Sequence, residues 1–322
     1  MERILFILSI SLGSVALGYL VRRTALKGYF NNDERMKLYS KKIKFTAIFI
    51  LNPIPIIISF WKFSLESSTL LVLPVLGILL SLVGGTSALI VNKFFRIPPK
   101  QAASVFTAGM FSNILTFGGL TAYIFYGIQG YVLIQLFNIF VSMITFFIGY
   151  PMSHRISIAA TGKISLSCDI LRTKPYLLIP FLSLLTGIAL NLMNIPTPNL
   201  LTELTAFLIP LISICLGFSI GITLFLSKIS RYTRELLLIA FIKFFISPIV
   251  MVPFALLLGL DNLMDGVPFN IVLIASVMPV AFNSLIPPSL YDFDLDLANS
   301  AWIVTTSAFG IVLPVLYLIL MT

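Results

Sequence analysis

Charge, cysteine and histidine are all scarce in this 322-residue chain: 10% of residues are charged, two are cysteine and one is histidine, against 58% that are hydrophobic. Cys168 and Cys215 stand alone, without the spacing of a disulfide framework or a thiolate metal site. His154 is the single histidine, which leaves no zinc-protease motif and no Ser-His-Asp triad. TGKIS around Lys163 lacks the upstream glycine and the following Ser or Thr of a phosphate loop, so ATP is not expected to drive the chain. No apolar run carries a nucleophile with a base, or paired carboxylates. Catalytic residues, a metal and a cofactor are therefore not expected.

What is there is apolar. A mean hydropathy of +1.05 places the chain in the all-α polytopic membrane class. A bilayer core takes about 20 residues of helix. On that measure the uncharged runs predict spans 1, 2 and 3 at residues 4–21, 45–61 and 67–92. The uncharged stretch 101–154 is too long for one crossing and divides near Tyr126 to Gly130 into spans 4 and 5. Runs near 175–195, 204–227, 236–260, 267–291 and 297–321 complete spans 6 to 10. The first run ends in Arg22 and Arg23 without a cleavage pattern and reads as a retained helix.

The formal net charge of +9 is explained by its distribution. The loops after spans 1, 3, 5 and 7 hold 18 of the 21 Lys and Arg. Basic loops stay cytoplasmic, so both termini are expected outside a cell (inner) membrane and the middle loop inside. Nucleic acid is not an expected partner, because the basic residues form no compact module with interleaved aromatics.

The polar stretch 153–174, a short cytoplasmic linker, separates two sets of five spans, 1–152 and 175–322. Five is odd, so the second set enters the membrane in the opposite direction, as in transporters built from inverted repeats. The marks repeat in order. Span 2 carries Pro53 and Pro55, and its counterpart span 7 carries Pro210. Span 4 carries SNILTFGG, with Asn113 before Gly118 and Gly119; span 9 carries FNSLIPPS, with Asn283 before Pro287 and Pro288. A broken helix at membrane depth survives only where protein or a wet cavity covers its freed backbone.

Two half-helix N-termini meeting near mid-membrane would favour an anion. Asn113 and Asn283 can donate and accept there, Ser112 and Ser284 add hydroxyls, and Pro279 removes a backbone donor before the second break. The alternative is that both asparagines cap helices or bind neighbouring spans together. Lys243 is the one basic residue deep in a span, about 13 Å along the helix from Arg234. It suits counter-charge to an anionic substrate, proton exchange during transport, or a structural bond to carbonyls at a break. Asp292, Asp294 and Asp296 read as a solvated loop at the outer end of span 9, without the Gly and distal Glu of a calcium loop. Small-residue rows, Ser213 with Gly217 and Gly221, and Ser14 with Gly18, read as close helix packing and suit a homodimer.

LGYLVRR ending span 1, the proline-bearing span 2, FSNILTFGG, MPVAFNS and TSAFGIVLP together resemble the auxin efflux carrier family, over nearly the whole chain. That family includes the plant PIN-formed carriers and shorter microbial permeases. The resemblance implies a fold like that of the bile acid sodium symporters, with ten transmembrane helices in two inverted five-helix repeats and spans 4 and 9 broken and crossing. It further implies a scaffold domain of spans 1, 2, 6 and 7, a transport domain of spans 3–5 and 8–10, elevator-type movement, and Asn113 and Asn283 at the substrate site. Gly118 and Gly119 stand where family members often have proline, and the middle loop is short. The expected function is secondary transport of a small organic anion such as a carboxylate, within the lipid bilayer. A Na⁺-coupled bile-acid-type symporter and a non-transporting membrane receptor are the alternatives.

Overall fold

The computed structural model describes residues 2–27, 33–63, 67–158, 178–224 and 229–321. Most of the predicted linker, with Lys163, Cys168, Arg172 and Lys174, lies outside the described residues. The described chain is all-α, with helices α1 (Glu2–Thr24), α2 (Glu34–Lys62), α3 (Ser68–Phe94), α4 (Pro99–Met110), α5 (Ile114–Asn138), α6 (residues 141–157), α7 (Ile179–Leu192), α8 (Asn199–Gly221), α9 (Ile229–Leu257), α10 (Met264–Ser276), α11 (Ile286–Tyr291) and α12 (Leu295–Met321). Seven of these, α1, α2, α3, α5, α8, α9 and α12, are long and apolar enough to cross a membrane. The protein is thus a multi-pass membrane protein by length and composition.

Helix α5 is not one straight rod. Gly127 takes φ +62, a backbone region that favours glycine, and the rings of Tyr123 and Tyr131 meet at 6.5 Å beyond it. Residues eight apart in a straight helix would be about 12 Å apart along the axis, so the chain folds back here. The division expected near Tyr126 to Gly130 falls at this turn.

Three prolines explain three irregular turns. Helices pass through π-type turns at Ala47–Leu51, Thr145–Gly149 and Ile242–Ile246, and a proline follows each two residues later, at Pro53, Pro151 and Pro248. A proline ring removes its own N–H and collides with the carbonyl four residues back. Widening the preceding turn by one residue moves that carbonyl aside and keeps the helix continuous. Asn52 N–H then reaches back to Ala47 O at 2.9 Å, and Ser247 Oγ donates to Ile242 O at 2.9 Å.

The helices group into two compact units. The first contains residues 1–66, 115–135 and 171–224; the second contains 67–114, 136–170 and 225–322. In the first unit, α1 packs on α8 through small residues. A side chain at Gly18 would collide with the Phe218 carbonyl and one at Gly217 with Ser14. The buried Arg22 donates to Leu224 O at 2.7 Å, and Ser40 donates to Ser219 O at 2.6 Å. In the second unit α3 meets α4 backbone to backbone, because Gly84 lies against the Gly109 carbonyl.

At one end of the second unit the acidic turn before α12 meets basic loops. Lys100 pairs with Asp292. Asp294 accepts the Tyr232 hydroxyl at 3.0 Å and caps α12 by accepting from Leu297 N–H at 2.9 Å. Asp292 and Asp296 are exposed, as expected of a solvated loop, while Asp294 is half-buried against Tyr232.

Two outcomes follow for stability in detergent. Gly84→Leu should lower the unfolding temperature, at a cost of about 1–3 kcal/mol from overpacking, while Gly13→Ala, with open space around it, should leave it unchanged. Asp294→Ala should cost about 1–3 kcal/mol by removing a cap and stranding the buried Tyr232 hydroxyl. Asp292→Asn breaks only an exposed ion pair and keeps a residue that tolerates φ +56, so it should change little, which thermal unfolding of both variants measures.

Candidate functional site

The site lies where two helices stop and restart inside the second unit. Helix α4 ends at Met110, and Phe111 turns extended at φ −98, ψ 119. Helix α10 ends at Ser276, and the chain is extended again by Ala281 at φ −72, ψ 150. Pro279 between them has no N–H with which to continue the helix.

The two interruptions pair with each other. Ser112 and Val280 face as an antiparallel bridge, Asn113 N–H donates to Pro279 O at 2.9 Å, and Ala281 N–H donates to Phe111 O at 2.9 Å. Val280 N–H donates to the Thr305 hydroxyl on α12 at 3.2 Å. Each freed backbone group would cost several kcal/mol in lipid, so these bonds are what allow two broken helices to persist there.

Lys243 joins this pairing from α9. It is 1% exposed, and its Nζ donates to Ser112 Oγ at 2.9 Å. Among the described residues no carboxylate pairs with it. Its inward position depends on the π-type turn before Pro248, because the extra residue rotates the preceding side chains around the helix axis. Beside Ser112, Asn113 is 5% exposed, and its Nδ2 has no hydrogen-bond partner. The junction thus holds a buried ammonium with spare N–H donors beside a buried amide with two. Donors of this kind, without a paired acid, suit a carboxylate or similar oxyanion.

The other expected residues are placed differently. Asn283 is exposed, and its backbone carbonyl accepts from the Tyr150 hydroxyl at 3.3 Å. Ser284 is fully buried and turns its hydroxyl back to Ala281 O at 2.7 Å. Pro279 sits in the pairing itself. Pro287 is buried in the first turn of α11, where a proline starts a helix, so it does not cause the break. Gly118 and Gly119 lie within helical turns of α5 and group with the first unit. Both interruptions fall earlier than the glycines and prolines that were expected to make them.

Several polar residues were missed. Thr305 holds the second interruption, and Tyr150 holds the turn after it. In the first unit the Tyr131 hydroxyl donates to Asn52 Oδ1 at 2.9 Å, and Asn52 is 2% exposed. Asn52 lies within the ILNPIP segment, directly before Pro53. An uncharged polar residue inside a span is itself the available signal.

An unpartnered buried amide costs about 1–3 kcal/mol. Asn113→Leu, similar in volume, should therefore leave the unfolding temperature equal or higher. A substantial fall in thermal unfolding would show that the amide is a structural bond instead.

The sequence matches no protein-family model, and it matches none of the curated proteins with which it was compared.

Proposed function

We propose that the protein is a secondary transporter of a small organic anion, with a carboxylate as the best chemical match. The observation that carries this reading is the buried Lys243 ammonium at the paired interruptions, bonded to Ser112 and next to the unpartnered Asn113 amide. A buried positive charge is costly when nothing compensates it, and a bound anion would compensate it during each cycle. Paired, discontinuous helices carrying polar groups are the usual form of a transporter's midplane site.

The proposal extends to the architecture. Ten crossings in two inverted repeats and an elevator-type movement of spans 3–5 and 8–10 are consistent with interruptions in the fourth element of each half. Resemblance to the auxin efflux carriers points the same way. Orientation with the basic loops in the cytoplasm rests on their share of the Lys and Arg residues, 18 of 21. The lipid bilayer of the cell membrane is the setting, and a homodimer through the scaffold spans is part of the same proposal.

Purified protein in liposomes tests it with radiolabelled acetate, succinate, benzoate and indole-3-acetate supplied in turn under proton, Na⁺ and potential gradients. At least one acid should accumulate above empty liposomes. Lys243→Met and Asn113→Ala should each reduce that uptake at least about tenfold, the loss of one charge-assisted contact of about 1.5–3 kcal/mol. Undiminished uptake in both variants would remove the site, and binding without flux would favour a receptor.

A further inference from the structure

The outward side of the helix turn that carries Lys243 forms a groove of about 770 Å³ along α9, lined by Leu237, Leu238, Phe241, Phe244 and Phe245 and headed by Arg234. We propose that this groove is a binding site for an anionic phospholipid, with the acyl chain along the phenylalanines and the phosphate at Arg234. The site is separate from the paired interruptions and does not depend on the transport reading.

The shape argues for a chain. Leu237, Phe241 and Phe245 are 66%, 52% and 56% exposed, so the surface is open along its length. Phe241 and Phe245 stack at 5.5 Å and present one continuous apolar wall. From Arg234 to Phe245 is eleven residues, about 16 Å of helix, and half of a 30 Å hydrocarbon core is about 15 Å. The groove therefore has the depth of one leaflet, with a cation at its end.

The charge selects the headgroup. Arg234 is exposed, and its guanidinium carbon lies 4.4 Å from the centre of the Phe95 ring, a contact that restrains its plane. Arg231 lies over the Tyr232 ring at 5.6 Å, and Arg96 follows Phe95 in sequence. Glu235, half-buried, is the acid on the same turn, and Asp292 and Asp294 are engaged by Lys100 and Tyr232. A planar guanidinium held at the mouth of an apolar groove matches a phosphodiester in two-pronged fashion. These arginines also belong to the basic loops, the side on which anionic lipid is attractive by about 1 kcal/mol per cation.

Native mass spectrometry of the full chain in detergent tests this, by titration with dioleoylphosphatidylglycerol and, separately, dioleoylphosphatidylcholine. The expected result is about tenfold tighter retention of the glycerol lipid. Arg234→Gln should reduce that preference to about twofold or less, Arg234→Lys should keep part of it, and Arg3→Gln should keep all of it. Thermal unfolding without added lipid should be the same for all variants, which separates lost binding from lost fold. Equal retention of both lipids, or an unchanged preference in Arg234→Gln, would overturn the proposal. So would a dimer that carries no lipid and dissociates on Phe241→Ser, which would mean that a second copy covers the groove.

Discussion

Everything at the centre of the second unit depends on the antiparallel pairing of residues 111–113 with 279–281. Two helices that stop inside an apolar protein leave carbonyl and amide groups without partners, and in hydrocarbon that is a penalty no side-chain packing offsets. Asn113 N–H to Pro279 O and Ala281 N–H to Phe111 O offset part of it through backbone bonds, and the Thr305 hydroxyl accepts from Val280 N–H. The pairing works only if both chains are interrupted together, so each break is the condition for the other. Side chains at such a junction are held by backbone on both sides, which suits a site that must present donors at fixed positions.

The position of Lys243 follows from a separate constraint with the same local result. Pro248 widens the turn before it, and that turn directs Lys243 toward Ser112 while Phe241 and Phe245 remain on the surface. A single proline therefore organises both faces of one helix segment. Pro53 and Pro151 follow the same rule at Ala47–Leu51 and Thr145–Gly149. In each case the helix stays continuous and one turn is re-aimed.

The coarse architecture was legible because long apolar runs and isolated charges have few physical explanations. The fold-back at Gly127 and the depth of Lys243 could be read in this way. The cause of the first interruption could not. FSN contains neither proline nor glycine, and no local propensity ends a helix there; only pairing with a distant segment does. Gly118 and Pro287 drew attention as helix breakers, yet a glycine is tolerated in a packed helix and a proline at a first turn promotes one. The equivalence of Asn113 and Asn283 was likewise a statement about sequence order. Their surroundings differ, one buried with a free amide and one exposed.

The central claim is that an unpaired buried ammonium at the paired interruptions exists to meet an anion. Equilibrium stabilisation measures this most directly, since a ligand that binds only the folded protein raises its unfolding temperature. Acetate, succinate, benzoate and indole-3-acetate, each titrated against wild type and Lys243→Met at constant ionic strength, would decide it. The account predicts a saturable rise with at least one acid in wild type and none in the variant. An equal rise in both proteins would contradict it, as would no rise with any acid in wild type.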